Sequence, residues 1–271
     1  MIDIATDPQD AAGAFSEHQA ALVTNGWTVV SRLMDPDLVK RLNAALIPSL
    51  ALRDAIRQRN EVADNTDGTL HHLLMDDPCY LDLLARFQSL DPLLRNFFEG
   101  NFILNAYGGV VNNADTRSYV QSVHRDIRFS SDTKRFMLNA LVMLDDFTTD
   151  NGATHLLSGS QNLAERPDDV MFSERASRAT GERGSVLLFD SRLWHATGIN
   201  RTALSRRALT LSFTCPFFKQ QLDYPRLFGY ANADHCAPWL RQVIGFNARV
   251  PQSLEEFYVP VHQRFYQRGQ D

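Results

Sequence analysis

The chain has 271 residues, 44% hydrophobic and 22% charged, and its 27 basic and 32 acidic side chains give a formal net charge of −5. Charges scattered in that balance suit a globular protein with a sizeable core and speak against a basic nucleic-acid-binding face. No apolar run approaches the ~18 residues of a membrane-spanning helix, the acidic start "MIDIATDPQDAAGA" lacks the layout of a signal peptide, and the widely spaced Cys79, Cys215 and Cys236 suit reduced thiols in a cytoplasmic protein rather than a disulfide framework or zinc knuckle.

In chain order, "GWTVV" at 26–30 is a short strand candidate. In "MDPDLVKRLNAAL" Asp35 can cap a helix, Pro36 fits its first position, and Leu38, Leu42, Ala45 and Leu46 share one face. Helical spacing recurs over 48–60 and 79–99, punctuated by Pro78, Pro92 and Gly100, so residues 1–100 form a mostly helical lead. From 101 to 215 the texture changes. "NFILNAYGGVV", "RFMLNALVML", "ATHLLSG", "GSVLLFDS", "RLWHATGI" and "RRALTLSFTCP" are short, β-branched or aromatic, and bounded by turn residues. Such strands after a helical lead predict a β-sandwich or barrel with helices packed outside. Residues 161–183 read as a polar, irregular insertion of the kind used as a lid, and 216–271 as a mixed, mostly non-strand extension. No repeat or low-complexity segment interrupts the chain, and a single domain over 1–271 is the economical reading.

"SVHRDIRF" at 122–129 holds His124 and Asp126 two residues apart. On a strand or its frayed end, side chains at i and i+2 share a face, so an imidazole and a carboxylate would converge on one point. Arg125 between them would point away. A third ligand candidate is His195, inside "GSVLLFDSRLWHATGINRTALSRRALTLSF" at 184–213. Two imidazoles and one carboxylate on one face of an octahedral ion leave three positions open, the facial arrangement of non-haem Fe(II) oxygenases.

H-x-D, then "LDDFTTDNGATHLLSGS", then the long block around His195 resembles the phytanoyl-CoA dioxygenase-like family of Fe(II)/2-oxoglutarate oxygenases over roughly 100–215. Ser158 departs from the pattern, since family members often carry proline there. The resemblance implies a double-stranded β-helix core (jelly roll, cupin-like) with the helical N-terminal region packed outside. It implies His124, Asp126 and His195 as iron ligands. Arg206, eleven residues past the distal histidine, would hold the C5 carboxylate of 2-oxoglutarate, and Thr197, two past it, would support that carboxylate with its hydroxyl. A guanidinium gives the bidentate grip on a carboxylate that lysine cannot copy. Arg207 is the rival. Alternation places it with Leu209, Leu211 and Phe213, and Arg206 with Ala208, Thr210 and Ser212, and either face of a doubly covered sheet can be interior. The register after "GIN" favours Arg206. Asn139 and Asn105, amides in apolar strands, are candidates to touch the cosubstrate or to be satisfied within the core.

Fe(II), 2-oxoglutarate and O2 are thus the cofactors the resemblance implies, with a free small molecule as substrate, hydroxylated at an unactivated C–H bond while succinate and CO2 are released. The presence of Asp126 argues against halogenation, in which related enzymes replace this carboxylate to admit chloride; desaturation or ring formation stays open. Two readings from other classes remain: a cupin-like metal-dependent isomerase or lyase without 2-oxoglutarate, and a silent binding module on the same fold. Other polar clusters read more plainly. His155 looks like scaffold, Trp194 packs away from the ligands, and "LHHLLMDDP" with His71, His72, Asp76 and Asp77 reads as solvated surface. Arg117, Arg128, Lys134 and Arg135 around H-x-D read as a solvated face before an anion-attracting mouth.

Overall fold

A computed structural model describes residues 2–3, 8–62, 68–115, 119–129 and 134–264; the chain start at 1 and 4–7 and Arg117 lie outside them. Strand β1 (Ile2–Asp3) and helix α1 (Pro8–Thr24) lead into β2 (Trp27–Ser31), the strand anticipated at 26–30. Asp35 caps α2 (Pro36–Arg59), its carboxylate accepting from the Leu38 amide at 2.8 Å with Pro36 in the first turn. The helix continues through Pro48, so the two helical stretches expected here are one. After β3 (Thr69–His71), Asp77 caps α3 (Pro78–Arg86), and a 3-10 turn over Phe87–Leu90 leads to α4 (Asp91–Phe98).

The strands follow as β4 (Ile103–Asn112), β5 (Met137–Met143) and β6 (Thr154–Leu156), then α5 (Asp169–Arg175), β7 (Ser177–Ala179), β8 (Val186–Asp190), β9 (His195–Ala196) and β10 (Arg206–Thr214). The stretch 161–183, expected to be irregular, contains α5 and β7. The C-terminal part carries three short helices, α6 (Tyr224–Phe228), α7 (Pro238–Ile244) and α8 (Leu254–Phe257). Residues 122–129 form no strand; His124 makes an isolated antiparallel bridge to His195. Among the described residues no helix is long and apolar enough to cross a membrane.

The larger sheet runs β1-β2-β8-β5-β10-β4-β3 and the smaller β7-β6-β9. Apart from the parallel β1–β2 pair, all pairings are antiparallel. This is the jelly-roll core with helices outside. One face of the large sheet, with Leu138, Val142, Leu188, Leu209, Leu211 and Phe213, packs in a cluster with Leu38, Leu42, Leu83 and Phe97 of the helices. The other face, with Leu141, Leu187, Phe189 and Ala208, packs with Leu156 and Ala179 of the small sheet. The alternation of β10 is thereby resolved. Large apolar side chains go to the helices, and Arg206, Ala208, Thr210 and Ser212 turn inward between the sheets.

Two motif segments clasp each other at the Arg206 end. Gly152 has φ +86°, and a Cβ there would collide with the Gly198 carbonyl and the Asn112 amide. A Cβ on Gly198 would lie 2.6 Å from the Ala153 oxygen, so both glycines are required by close backbone approach. Asn200 then donates to the carbonyls of Asn112 (2.8 Å) and Leu204 (2.7 Å), fixing the loop that leads into β10. Ser158, the departure from the family pattern, accepts a 2.9 Å bond from the Trp27 indole, a contact proline cannot make.

Candidate active site

The bridge between His124 and His195 exchanges both backbone bonds, His124 N to His195 O at 3.0 Å and His195 N to His124 O at 2.9 Å. Residues directly opposed in such a pair project to the same side, and the two rings lie 4.3 Å apart between centroids. Asp126 is held by its amide on the Ser191 carbonyl (3.0 Å), within the turn joining β8 to β9. That turn is braced by a buried pair: Arg192 Nη2 lies 2.7 Å from Asp190 Oδ2, with the two side chains 6% and 2% exposed. The Asp126 carboxylate consequently stands 3.7 Å from His124 Nε2 through Oδ1 and 3.7 Å from His195 Nε2 through Oδ2. One ligand atom from each residue lies within 4.8 Å of the others.

Both imidazoles are set in one tautomer. His124 Nδ1 meets the Ser122 carbonyl at 2.8 Å and His195 Nδ1 meets the Leu193 carbonyl at 2.9 Å. A carbonyl only accepts, so Nδ1 carries the proton and each Nε2 presents its lone pair to the shared point. Burial holds the His195 imidazole below its ordinary pKa; Asp126 opposes this and His124 adds to it. A neutral, oriented imidazole is the form that coordinates a metal. Asn139 adds a further tether. Its Nδ2 donates to Asp126 Oδ2 at 2.6 Å, and its Oδ1 accepts from Ser212 Oγ at 2.7 Å. The carboxylate fixes the amide orientation, because only the NH2 end can face it.

A cavity of about 290 Å³ opens beside these residues, and Asn139, Thr154, Thr197, Thr210 and Ser212 line it together with His124, Asp126 and His195. Arg206 is not among the lining residues but lies on the inward face of β10, two positions before Ala208. Its guanidinium is 1% exposed, stacks 4.5 Å over the Phe147 ring and donates to the Gly152 carbonyl at 3.1 Å. Among the described residues its Nε has no partner, nor has the buried hydroxyl of Thr154. Burial pulls the guanidinium down to about 10, with Asp145 opposing, so it stays charged at neutral pH. Arg207 is spent elsewhere: its amide, Nε and Nη2 all bond Asp145 at 2.7–2.9 Å.

Asn105 belongs with the scaffold, a correction to its candidacy as a cosubstrate contact. Its Nδ2 donates to the Lys219 carbonyl (3.0 Å) and its own carbonyl accepts from the Gln221 amide (3.1 Å), which ties down the segment after β10, and it does not line the cavity. Arg125 and Trp194 turn away from the donors, the guanidinium 5.1 Å over the indole. His155 stands on β6 next to the cavity-lining Thr154 but does not itself line it. Arg128, Lys134 and Arg135 stay outside the lining as well.

His71 of "LHHLLMDDP" is exposed, as the sequence reading has it, yet it and the half-buried His72 both line the cavity. Adjacent side chains of a regular helix or strand diverge, which speaks against a shared site for such a pair. Here β3 ends at His71, and His72 takes the left-handed conformation at φ +60°, which turns the chain. No composition or periodicity signal reports such a residue. Asp76 pairs with Arg53 and Asp77 caps α3, so both acids are structural.

The sequence profile of the phytanoyl-CoA dioxygenase family (PhyH) matches residues 22–208. An uncharacterized protein of Mycobacterium bovis is 38% identical over 133 residues, 49% of this chain and 49% of that one, so the match spans about half the length of this relative. The iron/alpha-ketoglutarate-dependent dioxygenase penM of Penicillium thymicola is 26% identical over 205 residues, 70% of this chain and 64% of that one. The crystal structure of EctD from S. alaskensis with 2-oxoglutarate and 5-hydroxyectoine superimposes with a TM-score of 0.62 at 20% identity, covering 74% of this chain and 76% of that one, a likeness of fold. With more than half of its length under the family profile, the chain belongs to the phytanoyl-CoA dioxygenase family.

Proposed function

We propose that the protein is an Fe(II)- and 2-oxoglutarate-dependent dioxygenase that hydroxylates an unactivated C–H bond of a small molecule. The observation that carries this reading is the convergence of His124 Nε2, His195 Nε2 and the Asp126 carboxylate, with both Nδ1 protons committed to carbonyls. Two neutral imidazoles and one carboxylate suit a divalent first-row metal and leave coordination positions for other ligands. Arg206 and Thr154 supply buried donors without partners, the complement of an anionic carboxylate. Thr197 adds a hydroxyl at the cavity wall. Bound iron, with 2-oxoglutarate and O2, would supply the oxidising power, leaving succinate and CO2 as co-products.

The chain's own contribution is orientation and exclusion of water. Arg206 would fix the far end of 2-oxoglutarate, Asn139 would hold Asp126 in one rotamer, and the apolar wall of Leu70, Leu141 and Phe189 would keep the reacting carbon dry. The free thiols of Cys79, Cys215 and Cys236 support a cytoplasmic location, and we read the chain as one domain.

The decisive measurement is succinate formation by anaerobically Fe(II)-loaded protein on exposure to O2. Succinate should appear only with Fe(II), 2-oxoglutarate and O2 together. Protein that binds the metal yet neither binds nor turns over 2-oxoglutarate would transfer the assignment to a cupin-like isomerase or lyase.

Asn139 offers a finer test. Replacing it with alanine frees the Asp126 carboxylate from its orienting donor, and such outer partners typically contribute about 10–100-fold in metal affinity. Co(II) titration followed by visible absorption should show Asn139→Ala weakened by that order and Ser212→Ala by less. Unchanged affinity in Asn139→Ala would remove the tether from the account.

A further inference from the structure

The wall that β3 and its following loop give the cavity is built with unusual care. His72 holds a left-handed conformation that is strained for a non-glycine residue, and such strain persists only where surroundings over-determine it. Those surroundings are specific. Arg53 of α2, 14% exposed, donates to the carbonyls of His71 (2.8 Å), His72 (2.7 Å) and Ser49 (3.1 Å) and pairs with Asp76. The buried Tyr224 hydroxyl sits 3.2 Å from His72 Nδ1. With Nδ1 engaged there, Nε2 is the ring nitrogen available to a ligand. Gln221 joins this wall from the segment that Asn105 ties down.

The charge of the cavity narrows what that wall can receive. Among the described residues lining it there is no lysine or arginine, and Asp126 is the only carboxylate. With the metal and Arg206 taken up by the cosubstrate, an anionic substrate group at the β3 wall would be desolvated without a cationic partner. An ammonium group would find no carboxylate either, once Asp126 serves the metal. An uncharged hydroxyl or carbonyl oxygen meets no such penalty. Neutral imidazole donates from one nitrogen and accepts at the other, and the Tyr224 hydroxyl can take either role toward Nδ1. A substrate hydroxyl is therefore accommodated in both tautomers, and a carbonyl in the one with a proton on Nε2.

We propose that His72, with His71 and Gln221 beside it, is the substrate-recognition element of this cavity, and that it receives an uncharged hydroxyl or carbonyl oxygen of the substrate. The inference rests on the oxygenase reading only in taking the His124–Asp126–His195 cluster as the place of reaction. At about 290 Å³ the cavity lies at the small end of ligand pockets and must admit the cosubstrate too, so it encloses the reacting portion of the substrate.

The test uses Co(II)-loaded full-length protein with 2-oxoglutarate and four matched probes: cyclohexanol, cyclohexanone, cyclohexanecarboxylate and cyclohexylammonium. Paramagnetic relaxation of the probe protons, against a Zn(II)-loaded control, reports binding next to the metal and not elsewhere. The alcohol and ketone should bind more tightly than the two ions. His72→Gly, which suits the positive φ and keeps the fold while deleting the ring, should weaken the alcohol about fivefold, the worth of one hydrogen bond. His72→Asn, also tolerant of this conformation, should recover part of the loss. Tighter binding of either ion by the wild type, or undiminished alcohol binding in His72→Gly, would overturn the proposal. The oxygenase reading is judged separately in the same samples, by whether 2-oxoglutarate perturbs the Co(II) absorption.

Discussion

Replacing His195 with alanine should abolish Fe(II) binding and 2-oxoglutarate turnover together. Its ring is buried against Phe189 at 4.8 Å and presents Nε2 to the metal position with Nδ1 locked on the Leu193 carbonyl. Without it, one imidazole and one carboxylate remain, too few to hold the ion in a defined geometry. The lost packing costs of order 1–3 kcal/mol of stability, so the fold must be checked by thermal unfolding alongside. His124→Ala is the companion, because that side chain is 21% exposed and its removal disturbs the core less. Asp126→Gly should likewise lose turnover while the fold survives, its carboxylate being 34% exposed. Metal content and succinate formation are the readouts. Full activity in either histidine variant, or normal iron content and product yield in Asp126→Gly, would remove that residue from the site.

The second large effect is expected at Arg206. Arg206→Ala should raise the apparent KM for 2-oxoglutarate about ten- to a hundredfold, the worth of a charge-assisted bidentate contact of roughly 1.5–3 kcal/mol. Arg206→Lys should recover only part, because an ammonium presents a point charge where a fork is needed. Arg207→Ala should leave that KM nearly unchanged, since its bonds go to Asp145 on the helix-covered side of the sheet. The reverse pattern would move the clamp to Arg207 without disturbing the iron site. An unaltered cosubstrate dependence in both would undo the oxygenase assignment.

Much of this architecture is legible in the chain because the signals are local. The Asp35 cap, the short apolar runs of β5 and β10, and the glycine and asparagine turns each act through neighbouring residues. The choice between Arg206 and Arg207 was not local. Both faces of β10 look interior until one knows that the helices take Leu209, Leu211 and Phe213. Asn139 and Asn105 have nearly the same surroundings in sequence, yet one reaches the Asp126 carboxylate and the other a backbone carbonyl 114 residues away. His72 was missed for a further reason: a single left-handed residue leaves no periodic trace, and the arginine that imposes it lies on a different helix.

The Arg53 latch also separates two inheritances. The residues argued to activate oxygen lie between His124 and Ser212, whereas the histidines argued to choose the substrate hang from α2 and β3, upstream of that stretch. Natural drift or laboratory libraries confined to His71, His72 and Gln221 can therefore explore new substrates while the oxidising machinery is passed on intact. Arg53 itself is the position such libraries should leave alone, because four backbone and side-chain partners depend on it at once.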